Sequence, residues 1–364
     1  MKISVARSKL QEGLTTVERV VSTKTTLPIL SNVLIRAEKG TVSLATTDLE
    51  ISIERIIEAE VLKPGVTTLP VKRLAGIVRE LPESNIEVEV DDKDVATLKC
   101  ESSFYKVIGL SEEEFPPLNR PEGPCAYSLD QETLVEMLRK TSYAVSTDET
   151  RPVLNGVLLS FKSGRLSVVA TDGRRLALVE QETEVSKDAE RDYILPAKVV
   201  AELLRTLGGD TPVKIHSKQN QILFEYDHIL LWSKLIEGPY PNYRQVIPAR
   251  CEERVVLERE VFLTALRRVS VLSTDRTNPT KLTFSKNRLV VSVSAPDVGE
   301  AKESIPVKYS GKEITIGFNA EYLMDPLKTL TNDEVFFEFT DELSPAVVKC
   351  DSPFLYVVMP MRLA

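Results

Sequence analysis

The sequence predicts an α+β protein built from three tandem copies of one domain, each with two helices packed on antiparallel sheet. Two internal repeats indicate the copies. A short segment ending in Ser-Thr begins at Val21, Val145 and Leu272, and these starts are 124 and then 127 residues apart. Residues 26–34 are repeated at residues 150–158, again 124 positions later. Repeats of this length predict globular domains, because solenoid repeats have only about 20–45 residues.

A second predicted helix is also repeated, which supports the same division. Residues 69–81 match residues 195–207, and residues 318–330 give a third version. Residues 99–104 match residues 349–354, and we interpret each of these segments as a strand. Such agreement in one order along the chain indicates duplication of a complete domain.

The repeats predict three domains: residues 1–120, 121–248 and 249–364. Proline and glycine mark the first boundary at residues 119–124, and Pro248 lies at the second. These segments are expected to act as short linkers.

The spacing of apolar residues predicts the elements within a domain. Leu10, Leu14, Val17 and Val21 recur at i, i+4, i+7 and i+11, which places them on one face of a helix. The second helix shows the same type of spacing over residues 74–81. Further predicted elements alternate with the helices. Strand-like alternation occurs at residues 42–45 and 86–90, and hairpin turns are expected at residues 38–40 and 162–164.

The composition disfavours metal, cofactor and membrane proteins. The 364 residues are 42% hydrophobic and include two histidines, and the four cysteines form no close pair. We therefore expect reduced structural thiols, no metal and no cofactor. No apolar run approaches the roughly 20 residues that span a bilayer, and no signal peptide is seen at the N-terminus. The sequence predicts a cytoplasmic protein without a membrane partner.

Three similar domains joined by short linkers suggest a fixed arc. A head-to-tail contact between the end domains of two chains would close that arc into a homodimeric ring of six domains. A domain of this size is about 35 Å across, and six in a hexagon leave a hole of about 35 Å. Double-stranded DNA would pass through such a hole, independently of its sequence.

Basic residues recur on the second helix of each copy, although the net charge of the chain is −8. Arg79, Arg205 and Lys328 occupy the same position in the three copies. Contacts of such residues with phosphates carry affinity without sequence information. The alternative is that they belong to ordinary solvated helix faces. The predicted DNA-facing set is Lys24, Lys72, Arg73, Arg79, Lys198, Arg205 and Lys328.

Four segments resemble the β sliding clamp family of bacterial replicative DNA polymerases. They are TLPIL at residues 26–30, VATDGRRLA at 169–177, PYPNY at 239–243 and YVVMPMRL at 356–363. The resemblance covers the whole chain in order. It implies a non-catalytic homodimeric DNA clamp that encircles duplex DNA, is loaded by an ATP-driven clamp loader, and gives polymerases their processivity.

The resemblance also implies a pocket for short peptides that contain glutamine, leucine and phenylalanine. Its expected partners are the DNA polymerase III alpha subunit, clamp-loader subunits, other polymerases and repair proteins. Arg174 stands where some clamps carry histidine, and Pro152 and Val153 stand where some carry tyrosines. The implied deep part comprises Leu154, Thr171, Gly173, Arg175, Leu176, Pro241, Val246, Val357 and Met359. The implied shallow part comprises Arg174, Asn319, Tyr322, Leu343 and Met361.

The family further implies a dimer interface between the first domain of one chain and the third domain of its partner. Tyr105 and Val107 would contact Val271 and Leu272 there. An exposed strand edge beside apolar residues is a surface that favours such pairing.

Two other classes of function stay open on the residues alone. Asp172 with Arg174 and Arg175 could form an anion-binding catalytic site, but the GxSxG, P-loop and HExxH motifs are absent from the sequence. The repeats could instead form a protein-only scaffold with no DNA in the ring. Without the family, Met359 would be interpreted as a core residue and residues 171–173 as a hairpin turn.

Overall fold

The computed structural model describes residues 1–21, 27–118, 120, 125–183, 190–272, 279–295 and 298–363. The chain divides into two compact units. Unit 1 consists of Met1–Glu132 and Arg205–Leu235, and unit 2 consists of Thr133–Leu204 and Ile236–Ala364.

Among the residues that the structure describes, each predicted domain has two α-helices, as the repeats predicted. In α1 the apolar face is buried, with Leu10, Leu14 and Val17 in the core. The helix ends at Val17, so the prediction that Val21 extends it is wrong. Within the described residues, no helix is long and apolar enough to cross a membrane. The helices are α1 (Arg7–Val17), α2 (Val71–Glu80), α3 (Gln131–Arg139), α4 (Ala197–Thr206), α5 (Arg259–Ser270) and α6 (Ala320–Thr329).

Unit 1 contains two antiparallel sheets. One has five strands in the order β5-β1-β7-β8-β9, and the other has eight in the order β10-β15-β16-β17-β4-β3-β2-β6. The strands of unit 1, numbered along the whole chain, are β1 (Lys2–Ala6), β2 (Asn32–Glu38), β3 (Thr41–Thr47), β4 (Ile51–Glu58), β5 (Glu60–Lys63), β6 (Gly65–Pro70), β7 (Asn85–Val90), β8 (Val95–Cys100), β9 (Ser103–Ile108), β10 (Tyr127–Leu129), β15 (Val213–Lys218), β16 (Gln221–Tyr226) and β17 (Ile229–Lys234).

Unit 2 also contains two antiparallel sheets. The eight-stranded sheet has the order β14-β11-β12-β13-β25-β24-β23-β18, and the four-stranded sheet has the order β21-β20-β19-β22. The strands are β11 (Gly156–Lys162), β12 (Arg165–Thr171), β13 (Arg175–Glu182), β14 (Arg191–Pro196), β18 (Glu253–Glu258), β19 (Thr280–Ser285), β20 (Arg288–Ala295), β21 (Gly299–Pro306), β22 (Ile314–Phe318), β23 (Glu334–Phe339), β24 (Ala346–Cys350) and β25 (Ser352–Val358).

In each unit the eight-stranded sheet joins strands from two predicted domains. In unit 1, β17 of the second domain pairs with β4 of the first, and Leu231 lies opposite Ile53. In unit 2, β13 of the second domain pairs with β25 of the third, and Leu176 lies opposite Val357. The domain boundaries near residues 120 and 248 therefore stay a prediction, because the compact units follow the shared sheets.

Two segments predicted as single strands are hairpins. β8 ends at Cys100 and β9 begins at Ser103, with Glu101 in the left-handed region at φ 50°. Residues 349–354 likewise join β24 to β25. The alternating pattern missed these turns because only two residues separate β8 from β9 and one residue separates β24 from β25. The hairpins predicted at residues 38–40 and 162–164 are confirmed, connecting β2 to β3 and β11 to β12.

Candidate peptide-binding site

The turn between β12 and β13 carries the motif that the sequence singled out. The Thr171 hydroxyl donates to the Arg175 carbonyl at 2.6 Å and accepts the Gly173 N–H at 3.1 Å. Asp172 Oδ1 accepts the N–H groups of Arg174 and Arg175 at 2.8 and 3.0 Å. Gly173 has φ 86°, a conformation that favours glycine. The turn is thus fixed by its own side chains, which is the behaviour expected of threonine and aspartate.

Arg175 connects this turn to other parts of unit 2. Its Nε donates to Asp172 Oδ2 at 3.0 Å and its Nη1 to Asp325 Oδ2 at 2.6 Å. Its Nη2 donates to the Tyr143 carbonyl at 2.6 Å, and the guanidinium lies 4.3 Å from the Tyr322 ring centroid. The side chain is only 10% exposed. This geometry uses the planar fork and the aromatic stacking that distinguish arginine from lysine.

The charges around Arg175 keep it ionised. Burial alone would disfavour the charged guanidinium, but the carboxylates of Asp325 and Asp172 outweigh burial and raise the pKa of Arg175 above its ordinary value. Burial is also the main reason that the pKa of Tyr356 lies far above its ordinary value. Asp325 uses its second oxygen as well, because Oδ1 accepts a hydrogen bond from Lys328 Nζ at 2.8 Å.

An apolar wall lies beside the turn. Leu176 and Val357 are paired neighbours on β13 and β25, and both belong to one buried cluster. Tyr240, Tyr243 and Ile247 pack against this cluster from the segment that follows β17. The neighbouring predicted residues differ in exposure: Leu154 and Thr171 are buried, whereas Pro241 and Val246 are exposed. Among the residues of the predicted deep part, Leu176 and Val357 thus form a buried wall, and Pro241 and Val246 are exposed.

Met359 follows β25 and contacts the turn between β12 and β13. Its N–H donates to the carbonyl of Arg174 at 2.9 Å. Its side chain is 40% exposed, so interpreting Met359 as a core residue is wrong. A flexible, accessible methionine suits contact with varied apolar ligands.

The residues of the predicted shallow part have different local contacts. Leu343, 68% exposed, and Met361 line one cavity of about 560 Å³ together with Ile314, Thr315 and Leu363. Asn319 caps α6, because its side-chain oxygen accepts the N–H of Glu321 at 2.8 Å. Tyr322 stacks on Arg175. Leu343 and Met361 thus line the same cavity. Asn319 caps α6, and Tyr322 contacts Arg175.

Comparison with known proteins places the whole chain in one family. Three family models match in order, and each is described as a domain of the DNA polymerase III beta subunit. The N-terminal model matches residues 1–119, the central model residues 128–242, and the C-terminal model residues 244–362. The chain belongs to the DNA polymerase III beta subunit family.

Relatives of the beta subunit family align over the full chain. The beta sliding clamp of Chlamydia muridarum is 33% identical, covering 100% of this chain and 99% of the relative. That of Escherichia coli K12 is 33% identical, covering 100% of both. The crystal structure of the sliding clamp of Bartonella birtlesii, solved bound to griselimycin, is similar with a TM-score of 0.96 at 35% identity. It covers 100% of both chains. The predicted fold, three tandem beta-clamp domains, is confirmed.

The predicted DNA-facing residues that the structure describes fall into two groups. Lys72, Arg73 and Lys198 are exposed on the first turns of α2 and α4. Arg205 is half-buried, and its Nη2 donates to the Thr16 carbonyl at 2.6 Å. Arg79 approaches Glu18 to 4.0 Å, and Lys328 pairs with Asp325. Lys24 lies outside the described residues. The shared position 79, 205 and 328 is therefore engaged with protein groups in each copy.

Two sheet edges bear on the predicted dimer interface. In unit 1, β9 is the last strand of its sheet and carries Tyr105 and Ile108, both exposed, while Val107 is buried. In unit 2, β21 is the last strand of the four-stranded sheet. Val271 is exposed directly after α5, and Leu272 is half-buried. Both edges present backbone groups of the kind that pair with another strand.

Sequence reasoning missed Asp325 and Tyr143, which hold Arg175 in place. The i, i+3 spacing of Asp325 and Lys328 on α6 could have predicted their ion pair. The pairing of Asp325 with Arg175 joins residues 150 positions apart, and no local pattern predicts it.

Proposed function

We propose that this chain is a DNA sliding clamp, which encircles duplex DNA and tethers replication and repair proteins to it. The observation that carries the proposal is the ordered match of all three beta-subunit domains to one chain. The curated relatives that align with its full length are named beta sliding clamps. The function follows from closure of the ring, because a closed ring holds DNA without a sequence-specific grip.

The dimer is proposed to form through the two sheet edges. In both eight-stranded sheets, the last strand of one predicted domain pairs antiparallel with the third strand of a consecutive series in the neighbouring domain. β17 pairs in this way with β4 of the series β2–β3–β4, and β25 pairs with β13 of the series β11–β12–β13. By position in their repeats, β9 and β21 are the one remaining such pair among the described strands. Pairing of β9 in one chain with β21 in a second chain would repeat the same joint. Tyr105, Val107, Val271 and Leu272 are proposed to support it.

DNA contact is proposed to involve the basic residues of α2 and α4 most directly. Lys72, Arg73 and Lys198 are exposed there. A few scattered cations give weak, salt-sensitive attraction to phosphates, which permits sliding. Arg79, Arg205 and Lys328 would contribute after partial release from their protein partners.

Partner proteins are proposed to insert short peptides at the turn of residues 171–175. The exposed Met359 and the fixed turn would contact apolar side chains of the peptide, while the buried Leu176 and Val357 would support this surface from within the protein. The DNA polymerase III alpha subunit, clamp-loader subunits, other polymerases and repair proteins are the proposed sources of these peptides.

A catalytic role is not proposed. Asp172, the carboxylate considered for chemistry, already accepts two backbone N–H groups and the Nε of Arg175. We also propose that the clamp works in the cytoplasm without a cofactor.

Retention on DNA tests the proposed function. The labelled clamp is loaded by a bacterial clamp loader with ATP onto nicked circular DNA and separated by gel filtration. We expect the clamp to stay with the circle and to be lost after one cut makes the DNA linear. A dimer that is never retained on circles would support the protein-only scaffold instead.

A further inference from the structure

Four charged residues in unit 2 form a chain of alternating sign that leads from the peptide turn to a basic side chain of α6. Asp172 pairs with Arg175, Arg175 with Asp325, and Asp325 with Lys328. We propose that Asp325 is a positioning residue for the peptide turn, and that its second bond, to Lys328, makes peptide affinity sensitive to phosphate bound by Lys328. This inference rests on the proposed peptide site.

The geometry gives Asp325 control over Arg175. Tyr322, Asp325 and Lys328 are spaced by three residues, which places them on one face of α6. Tyr322 stacks on the guanidinium at 4.3 Å, and Asp325 accepts its Nη1 at 2.6 Å. The helix itself is fixed at this point, because the Tyr356 hydroxyl donates to the Tyr322 carbonyl at 2.8 Å. Arg175 is thus held between α6 and Asp172.

The conformation of the turn depends on where the guanidinium lies. Asp172 holds the turn with Oδ1 through the N–H groups of Arg174 and Arg175, and Oδ2 is held by Arg175 Nε. A shift of the guanidinium towards Asp325 would withdraw the partner of Oδ2. The carboxylate could then rotate, and the backbone around Gly173 would lose its fixed shape.

Lys328 supplies the second positive charge of this four-residue cluster. Two carboxylates and two cations are paired, so the cluster is neutral as it stands. Withdrawal of Lys328 leaves two carboxylates competing for one guanidinium, and Asp325 would then draw Arg175 away from Asp172. The exposures suit this role, since Asp325 is 16% exposed and Lys328 is 43% exposed. Lys328 can therefore meet a phosphate from solvent while Asp325 stays shielded.

The consequence is reciprocal coupling of two ligands. A phosphate that takes Lys328 from Asp325 loosens the peptide turn, and by linkage a bound peptide weakens the phosphate contact. Asp325 transmits the effect because it touches both cations, although the family resemblance places it in neither ligand set.

A double-mutant cycle on the full-length dimer tests this role. The probe is a fluorescein-labelled peptide with one glutamine followed by two leucines and a phenylalanine, and anisotropy gives its Kd. We expect Asp325→Asn to raise the Kd about fivefold or more, and Lys328→Gln to raise it about two- to threefold. In the Asp325→Asn background, Lys328→Gln should add nothing, because its effect passes through Asp325. Asp325→Glu should recover part of the affinity.

Lys286→Gln is the matched control, since Lys286 is an exposed cation in the turn between β19 and β20 of unit 2. It should leave the peptide Kd unchanged. A linear 24-base-pair duplex should weaken peptide binding to the unmodified protein about twofold, and this effect should vanish in Lys328→Gln. Additive effects in the cycle, or a duplex effect that persists without Lys328, would overturn the inference. Absence of peptide binding to the unmodified protein would instead count against the proposed peptide site.

Discussion

Leu49 and Gly173 occupy the same position in two copies of one turn. Their φ angles are 78° and 86°, and each N–H donates to the threonine hydroxyl two residues earlier, at 3.0 and 3.1 Å. Asp48 and Asp172 each accept the backbone N–H groups of the residues two and three positions later. Leu49 is 48% exposed in unit 1 despite the cost of a left-handed leucine. Duplication thus preserved the backbone of the turn while its side chain diverged.

Gly173→Ala should weaken peptide binding. A Cβ at this position would meet Arg151 Nη1 at 3.0 Å, and the positive φ would be strained. We expect about 1 kcal/mol of destabilisation, concentrated in the turn, and at least a severalfold higher Kd for the labelled peptide. Anisotropy and thermal unfolding measure the two effects separately.

Gly164→Ala is the matched control for that substitution. Gly164 also has a positive φ, 70°, but a Cβ there would meet nothing within 4 Å. Gly164→Ala should lower the free energy of unfolding by an amount similar to that of Gly173→Ala, and it should leave the peptide Kd unchanged. Equal peptide affinity in both variants would show that the turn at Gly173 is not part of the binding site.

The sequence predicted the domain plan because duplication repeats whole patterns. Helix faces such as Leu10, Leu14 and Val17 are visible from local spacing alone. The joint between β17 and β4 was not visible, since it pairs residues such as Leu231 and Ile53 that are far apart in the chain. Alternation also failed to show the two-residue turn after Cys100, because the pattern continues across it.

The candidate site was predictable where family motifs cover it. Thr171, Gly173 and Arg175 lie in one such motif, and the structure shows the turn that they form. Asp325 carries no motif, and its role appears only when α6 is packed against the turn. The sequence therefore predicted the turn residues that a ligand would contact, but it did not predict Asp325, which positions Arg175 in that turn.

Leu272→Asp should convert the dimer to monomers. An aspartate in the proposed joint between β9 and β21 would be buried without a partner, at a cost of about 3–5 kcal/mol. That cost raises the dimer Kd by about two to four orders of magnitude. Sedimentation velocity should then show a species near the 40.6 kDa of one chain.

Leu343→Asp serves as the control for the dimer experiment, because Leu343 is exposed in unit 2 beside the shallow cavity. It should remain a dimer and lose peptide affinity, whereas Leu272→Asp should keep its peptide affinity. A Leu272→Asp protein that sediments as an unchanged dimer would place the joint elsewhere.

Replacing both Lys72 and Arg73 with glutamine should weaken the attraction to DNA. Removing one ionic interaction with a phosphate reduces the slope of log K against log salt by about 1. The control is the double variant Lys39→Gln, Lys93→Gln, which removes two exposed cations from loops of unit 1. Binding to a short duplex at several salt concentrations gives both slopes. If the two double variants weaken binding equally, only net charge matters and α2 does not face DNA.

Asp227→Asn should destabilise unit 1 at neutral pH and much less in acid. The carboxylate accepts hydrogen bonds from the Thr211 hydroxyl at 2.6 Å and from Gln131 Nε2 at 2.7 Å. Burial alone would raise the pKa of Asp227, but these hydrogen bonds prevail and lower it. A depressed folded pKa stabilises the fold above the unfolded value of about 3.9, and this contribution is lost as the pH falls through the folded pKa.

We expect Asp227→Asn to lower the free energy of unfolding by about 1 kcal/mol at pH 7. This difference, measured by urea unfolding, should shrink below about pH 4. Asp210→Asn, at an exposed neighbouring residue, is the control and should leave the free energy of unfolding at pH 7 unchanged. If the loss of unfolding free energy is independent of pH, the asparagine amide does not fit the geometry of the site, and the charge of Asp227 does not stabilise the fold.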